Sequence, residues 1–173
     1  ETLSTSDLRS DALAMAEAGL VAIDTKEAVR RNVKLLGNTI HITNGHSVVL
    51  SRRVFVVGVG KCAISAAEAL EEILGPHLAG GVVLDVAMPE VCTLKKIKCA
   101  SGSHPLPSDE NIAVTHEIVE TLERLGNNDV VIVIVSGGGS TLLCMPGEQK
   151  TCLEEKMVVD LLMKAGATIE ELN

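Results

Sequence analysis

Three stretches of the 173-residue chain concentrate residues able to do chemistry. They read VVGVGKCA (56–63), GSHPLPSDEN (102–111) and VVIVIVSGGGSTLL (130–143). The first has the order strand, glycine turn, helix, which aims backbone N–H groups and a helix N-terminus at an anion. Gly58-x-Gly60-x-x-Ala63 matches a relaxed dinucleotide fingerprint, with Asp85 ending the next strand where a ribose-binding carboxylate belongs. That pattern alone supports a nicotinamide cofactor, or a βα turn that uses its glycines for tight packing. A P-loop is excluded, because Phe55 stands where its first glycine belongs and Cys62 follows Lys61. Lys61 falls at the first turn of a helix, where the dipole disfavours a cation. A bound anion would neutralise it; the alternative is a solvated surface lysine.

The third stretch ends a strand in Ser136, Gly137, Gly138, Gly139 and Ser140. Three glycines between strand and helix can present successive N–H groups as an anion-binding nest, and the hydroxyls of Ser136, Ser140 and Thr141 add donors. A nucleophile elbow needs Gly-x-Ser-x-Gly, and Leu142 stands where its last glycine belongs. A purely structural turn remains the competing reading. In the second stretch, His104 sits in a loop stiffened by Pro105 and Pro107, at the carboxyl end of a strand, where it is either a ligand-facing group or a turn residue. Asp109 and Glu110 follow it and are the candidate carboxylates for a metal.

These residues need elements to hold them. Residues 7–20 and 24–36 read as two helices, the second opened by Asp24 with Glu27 in a capping box and stopped at Gly37. TIHITNGHSVVL reads as a β-hairpin with a two-residue turn at Asn44-Gly45. From residue 51 onward, buried apolar strands alternate with helices. The spacing predicts an α/β fold, a three-layer Rossmann-like sandwich with a mostly parallel sheet, in which ligands bind beyond the carboxyl ends of the strands. Residues 1–50 would form the helices and hairpin, and 51–173 the Rossmann-like region, together one structural domain. Thr151 with Glu154 opens another helix, and Thr168 with Glu171 announces one at which the sequence stops, which reads as a fragment of a longer two-domain protein.

Composition narrows the function. A net charge of −8, one Phe and no Trp or Tyr argue against nucleic acid, which asks for basic surface and aromatic platforms. No apolar run is long enough to span a membrane. Five cysteines without CxxC spacing argue against a disulfide framework or zinc site. They read as free thiols acting as small core hydrophobes in a reducing, cytoplasmic setting. The N-terminal helices and hairpin offer surfaces for a homodimer.

Taken together and in this order, VFVVGVGKCA, GSHPLPSDEN, VVIVIVSGGGSTLL and GATIEELN resemble the glycerate 2-kinase family of the MOFRL type, some members of which are named hydroxypyruvate reductases. The resemblance covers almost the whole chain and is weaker over the first 50 residues. It implies ATP-dependent phosphorylation of D-glycerate to 2-phosphoglycerate with Mg²⁺, in a site closed by a second domain that contributes an arginine, so that this part alone would be inactive. It places the family's functional lysine on Lys61. Nucleotide-binding glycines and serines fall on Gly58, Gly60 and Ser136 to Ser140, and the substrate-facing loop on His104 and Asp109, with Ser108 inserted where the motif often runs straight from Pro to Asp. Three functions therefore compete: a glycerate kinase, an NAD(P)-dependent hydroxypyruvate reductase resting on Gly58, Gly60, Ala63 and Asp85, and a non-catalytic phosphate-ligand binding domain.

Overall fold

A computed structural model describes residues 6–147 and 151–172. Two helices come first, α1 (Asp7–Ala22) and α2 (Thr25–Asn32). Each starts at a side-chain cap: Ser6 Oγ accepts from the Arg9 amide and Asp24 Oδ1 from the Glu27 amide at 2.9 Å. Glu27, the expected return partner of a capping box, pairs instead with Arg30 at 2.6 Å. The second helix ends four residues earlier than its spacing predicts. Val33–Leu36 forms strand β1, paired antiparallel with β2 (Thr39–Ile42). The two-residue period turns both Val33 and Leu35 toward the core. Strand β3 (Ser47–Val49) completes a three-stranded sheet in place of a simple hairpin. The turn between β2 and β3 also differs. Gly45 N–H donates to Ile42 O and Ile42 N–H to His46 O, with Gly45 at φ 90°, so three residues loop where two were expected.

The main sheet contains β4 (Val54–Val59), β5 (Leu78–Asp85), β6 (Ile97–Ser101) and β7 (Val130–Val135) in the order β6-β5-β4-β7, all parallel. Helix α3 (Ala63–Leu74) connects β4 to β5, and α4 (Asp109–Glu123) carries the chain back from β6 to β7. The two connections run in opposite directions across the sheet, so right-handed crossovers put their helices on opposite faces. The cores agree. Val54, Val56 and Val83 pack with Ala67 and Leu70 of α3, whereas Val57, Val59, Val82 and Leu84 pack with Val114 and Ile118 of α4. This is the expected three-layer α/β sandwich, built without an aromatic side chain among its buried residues.

The N-terminal sheet shares the α3 core through Ile40 and Leu50. Lys26–Glu68 and Arg30–Glu72 ion pairs, both 2.7 Å, tie α2 to α3. Burial would raise the Glu68 carboxyl, but the Lys26 ammonium and the Thr93 hydroxyl and amide outweigh it and hold the group below the usual glutamate value.

Beyond β7 come α5 (Gly139–Leu142), α6 (Cys152–Lys164) and α7 (Ile169–Leu172). The expected capping box opens α6, with Glu154 N–H on Thr151 Oγ1 at 3.2 Å and Thr151 N–H on Glu154 Oε2 at 2.8 Å. One expectation about cysteine fails here. Cys144 and Cys152 are joined by a disulfide, and both ends are buried. Spacing gave no sign of it, because the pairing depends on where α5 and α6 lie relative to each other. No described helix is long and apolar enough to cross a membrane.

Candidate functional site

The carboxyl ends of β4, β6 and β7 meet at Gly138. This residue lies in the left-handed region (φ 85°, ψ 0°) and precedes α5. A Cβ placed on it would stand 3.0 Å from the His104 ring and 3.4 Å from Lys61 Cε. The three stretches singled out in the sequence thus converge on one glycine, and any side chain there would press on the other two groups. Lys61 and His104 are both exposed. Among the described residues, no hydrogen bond or ion pair holds the Lys61 ammonium or the His104 ring.

The backbone amides of the two glycine turns have different fates. In the first turn, Gly60 N–H donates to Leu84 O at 3.0 Å and Lys61 N–H to Gly137 O at 2.9 Å. Cys62 N–H reaches Ser136 Oγ at 3.3 Å, Ala63 N–H reaches Gly60 O, and Ile64 N–H reaches Asp85 Oδ2 at 3.1 Å. All five amides from Gly60 to Ile64 are therefore taken. Gly60 (φ 124°) is required for close approach, since a Cβ would collide with the hydroxyl and carbonyl of Ser136. Gly58 lies lower still, inside β4, where a Cβ would meet Val83 at 2.9 Å and Ile134 at 3.1 Å. Both glycines named as cofactor ligands are therefore packing residues, because a central strand's turn has neighbours on each side that take its amides. Asp85 is 5% exposed, and its two oxygens accept from Ile64 and Val86 amides. It caps α3 from within and is not presented to a ribose. The geometry thus removes the support on which the nicotinamide reading rested.

In the second turn, Ser136 N–H binds Val59 O and Gly139 N–H binds Ser136 O, but the Gly137 and Gly138 amides have no partner among the described residues. Gly137 is exposed, with open space where a Cβ would point. Gly139 is buried against Val59, and Ser140 is exposed on α5. Of the five residues from Ser136 to Ser140, then, Gly137, Gly138 and Ser140 keep amides without a partner among the described residues, and Gly138 is the one that stands beside Lys61 and His104. Ser136 holds the first turn in place, and Gly139 packs.

One residue that sequence reasoning passed over organises this end of the sheet. Asn111 is fully buried in α4. Its Oδ1 accepts from Ser103 N–H (2.8 Å), Ser108 N–H (3.0 Å) and Ser108 Oγ (2.9 Å). Its Nδ2 donates to Ser103 O (3.2 Å) and Leu142 O (2.9 Å). The amide therefore clamps both ends of the His104 loop and fastens α5 to them. The available signal was an Asn three residues after the Ser that begins a helix, which is a capping position. Asp109 stands exposed at the start of α4, and no described contact joins it to Lys61 or Gly138. Glu110 accepts from Ser108 Oγ at 2.6 Å, a bond that lowers its pKa.

This arrangement suits an anion: the open Gly138 amide, an unpaired ammonium and an imidazole meet where a side chain is missing, with the open Gly137 and Ser140 amides close by in the chain. A magnesium ion finds less. Asp85 is enclosed, Asp109 lies apart, and the one described cluster with metal-ligand spacing is Cys144, Cys152 and Glu155, whose sulfurs are joined to each other.

Residues 11–173 match the family model described as a domain of unknown function, DUF4147. Over 167 residues the chain is 34% identical to a glycerate 2-kinase of Pyrococcus horikoshii, covering 96% of this chain and 37% of that protein. It is 35% identical over 121 residues to a D-glycerate 2-kinase of Thermotoga maritima, covering 70% and 29%. A putative hydroxypyruvate reductase of Agrobacterium vitis is 34% identical over a stretch of the same length. A crystal structure of a Pyrococcus horikoshii protein superposes with a TM-score of 0.83 at 32% identity over 98% of this chain and 38% of its own. That of the Thermotoga maritima glycerate kinase gives 0.66 at 34% identity, over 70% of this chain and 29% of its own. The chain spans between 29% and 38% of the length of these relatives.

Proposed function

The chain belongs to the DUF4147 family, and from that premise we propose that the protein of which it forms part phosphorylates D-glycerate at the 2-hydroxyl with ATP as donor. The observation that carries this reading is the convergence of Lys61 and His104 on Gly138, beside the free Gly137 and Gly138 amides. Phosphoryl transfer asks a protein mainly for positioning and for fixed positive potential around a charged group. Lys61 supplies a full charge, the two amides supply oriented dipoles, and His104 adds a donor at the rim. Together they hold an anionic oxygen group, either a phosphate of the nucleotide or the carboxylate of glycerate. Asn111 keeps the His104 loop and α5 at fixed separation, so the donors need not reorganise as charge develops. ATP supplies the phosphoryl group. The residues at Gly138 do not by themselves make a magnesium site.

A coupled ADP-release assay on the whole protein with D-glycerate tests the reading. Lys61→Ala is expected to lower kcat/KM by about 10²–10³-fold, the scale of one lost electrostatic contact to the transferring group. Because Lys61 is exposed and unpaired, its thermal stability should not change. Wild-type rates in Lys61→Ala would overturn the role of Lys61. Turnover with NADH and hydroxypyruvate but none with ATP would overturn the kinase reading.

A further inference from the structure

The Cys92 and Cys99 sulfurs lie 2.8 Å apart. Cys99 is on β6, packed against the α3 core, and Cys92 is in the irregular segment between β5 and β6; both are half-buried. The segment is held firmly where it lies. Thr93 donates its N–H (3.0 Å) and hydroxyl (2.6 Å) to Glu68 Oε1. Lys95 N–H donates to Glu71 at 2.8 Å, and Lys96 Nζ bonds Gly75 O (2.9 Å) and Leu78 O (2.7 Å). These bonds come from α3, the turn that follows it and the first residue of β5, so they fix Cys92 over Cys99 without help from the sulfurs. Closing to a bond of about 2.05 Å needs a further approach of less than about 1 Å.

We propose that Cys92 and Cys99 form a thiol–disulfide modification site, oxidised by a low-molecular-weight disulfide such as glutathione disulfide. Burial and the contact with Cys92 push the Cys99 thiol up, which favours Cys92 as the first nucleophile. The Cys92 thiolate attacks one sulfur of glutathione disulfide and expels a glutathione thiolate, which takes up a proton. Cys99 then attacks the Cys92 sulfur of this mixed disulfide, and its proton leaves with the second glutathione thiolate. Two protein thiols lose two electrons and two protons, and one glutathione disulfide becomes two glutathione thiols. The pre-set geometry favours the second, intramolecular attack, so the mixed disulfide does not accumulate. The product ties the segment before β6 to the strand that leads into the His104 loop.

The full chain, equilibrated at graded ratios of reduced to oxidised glutathione, acid-quenched, alkylated and digested with trypsin, tests this. Lys95 and Lys98 separate the two cysteines, so the bond would join peptide 62–95 to peptide 99–124. The Cys144–Cys152 bond joins 125–150 to 151–156 and reports in the same digest that the chain is folded. The expected result is the 62–95/99–124 species in the wild type and in Cys62→Ser, and its loss in Cys92→Ser and Cys99→Ser. A linked species that survives in Cys92→Ser would assign the bond to Cys62 and overturn the proposal. So would stable glutathione adducts on Cys92, or free Cys92 and Cys99 in a sample whose Cys144–Cys152 bond is intact. Fragment ions of the wild-type species locate the bond without any variant.

Discussion

Strands β4 and β7 are neighbours, paired in register from Val54 opposite Val130 to Val59 opposite Val135. As sequences they are near twins, VFVVGV and VVIVIV, each followed by a glycine turn. In the sheet they are opposites. β4 lies between β5 and β7, and all but Phe55 of its residues are buried. β7 is an edge, and Val133 and Val135, on the α4 side of the sheet but beyond the cover of that helix, are 62% and 74% exposed. Their turns differ for the same reason. The Gly60 turn has β5 on one side and β7 on the other, and both take its amides. The Gly137 turn has a neighbour on one side alone, and its Gly137 and Gly138 amides remain open. A glycine turn over a central strand serves packing; the same turn over the edge strand presents donors. The apolar faces of α1 and α6 are likewise exposed, so the packed part of the chain centres on β4, β5, α2, α3 and α4.

Substitutions at the two turns should separate most sharply. Gly60→Ala places a Cβ into Ser136 at a positive φ and is expected to destabilise by more than about 4 kcal/mol. Gly137→Ala enters open space and should stay within about 1 kcal/mol. Chemical denaturation of both variants decides, and equal losses would break the comparison. Asn111→Leu should come next, at about 3 kcal/mol, since it leaves Ser103 and Ser108 amides and the Leu142 carbonyl without their partner. Faster hydrogen exchange confined to residues 102–108 and 139–143 would show that the clamp, and not the core, has been lost.

Within the strands, Val56→Ala in β4 should cost about 2 kcal/mol from lost burial and the cavity left behind. Val135→Ala in β7 should change stability by less than about 0.5 kcal/mol. A similar cost for both would mean that β7 is covered in solution. The smallest effect expected is on pH dependence. Glu68 has a lowered pKa in the folded chain, so its contribution is present above the ordinary glutamate value, about 4.3, and is lost as pH falls through the folded value. Acid titration of stability in Glu68→Gln should show a shallower loss than the wild type over that range, with the two alike in slope near neutrality.

Much of this molecule was legible one segment at a time. The parallel strands, α3, α4 and the capped start of α6 follow from local periodicity and from caps such as Thr151 with Glu154, which depend on residues three or four apart. Local reading erred where a short segment suited two states. Val33–Leu36 continues a helical stripe equally well, and only pairing with Thr39–Ile42 makes it a strand. The Cys144–Cys152 bond and the Asn111 clamp were hidden for a related reason, since their partners are supplied by the way separate elements return to one another.

The sequence by itself determined that this is a three-layer α/β chain and that Lys61, His104 and the 136–140 glycines lie at strand carboxyl ends, because chain direction in a parallel sheet follows from alternation of strand and helix. The sheet order β6-β5-β4-β7 decided the rest. It made β4 central and β7 an edge, and so determined which glycine turn has its N–H groups taken and which leaves some of them open. That choice rests on neighbours some 75 positions away, as in the Cys62 amide on the Ser136 hydroxyl, and no local pattern contains it.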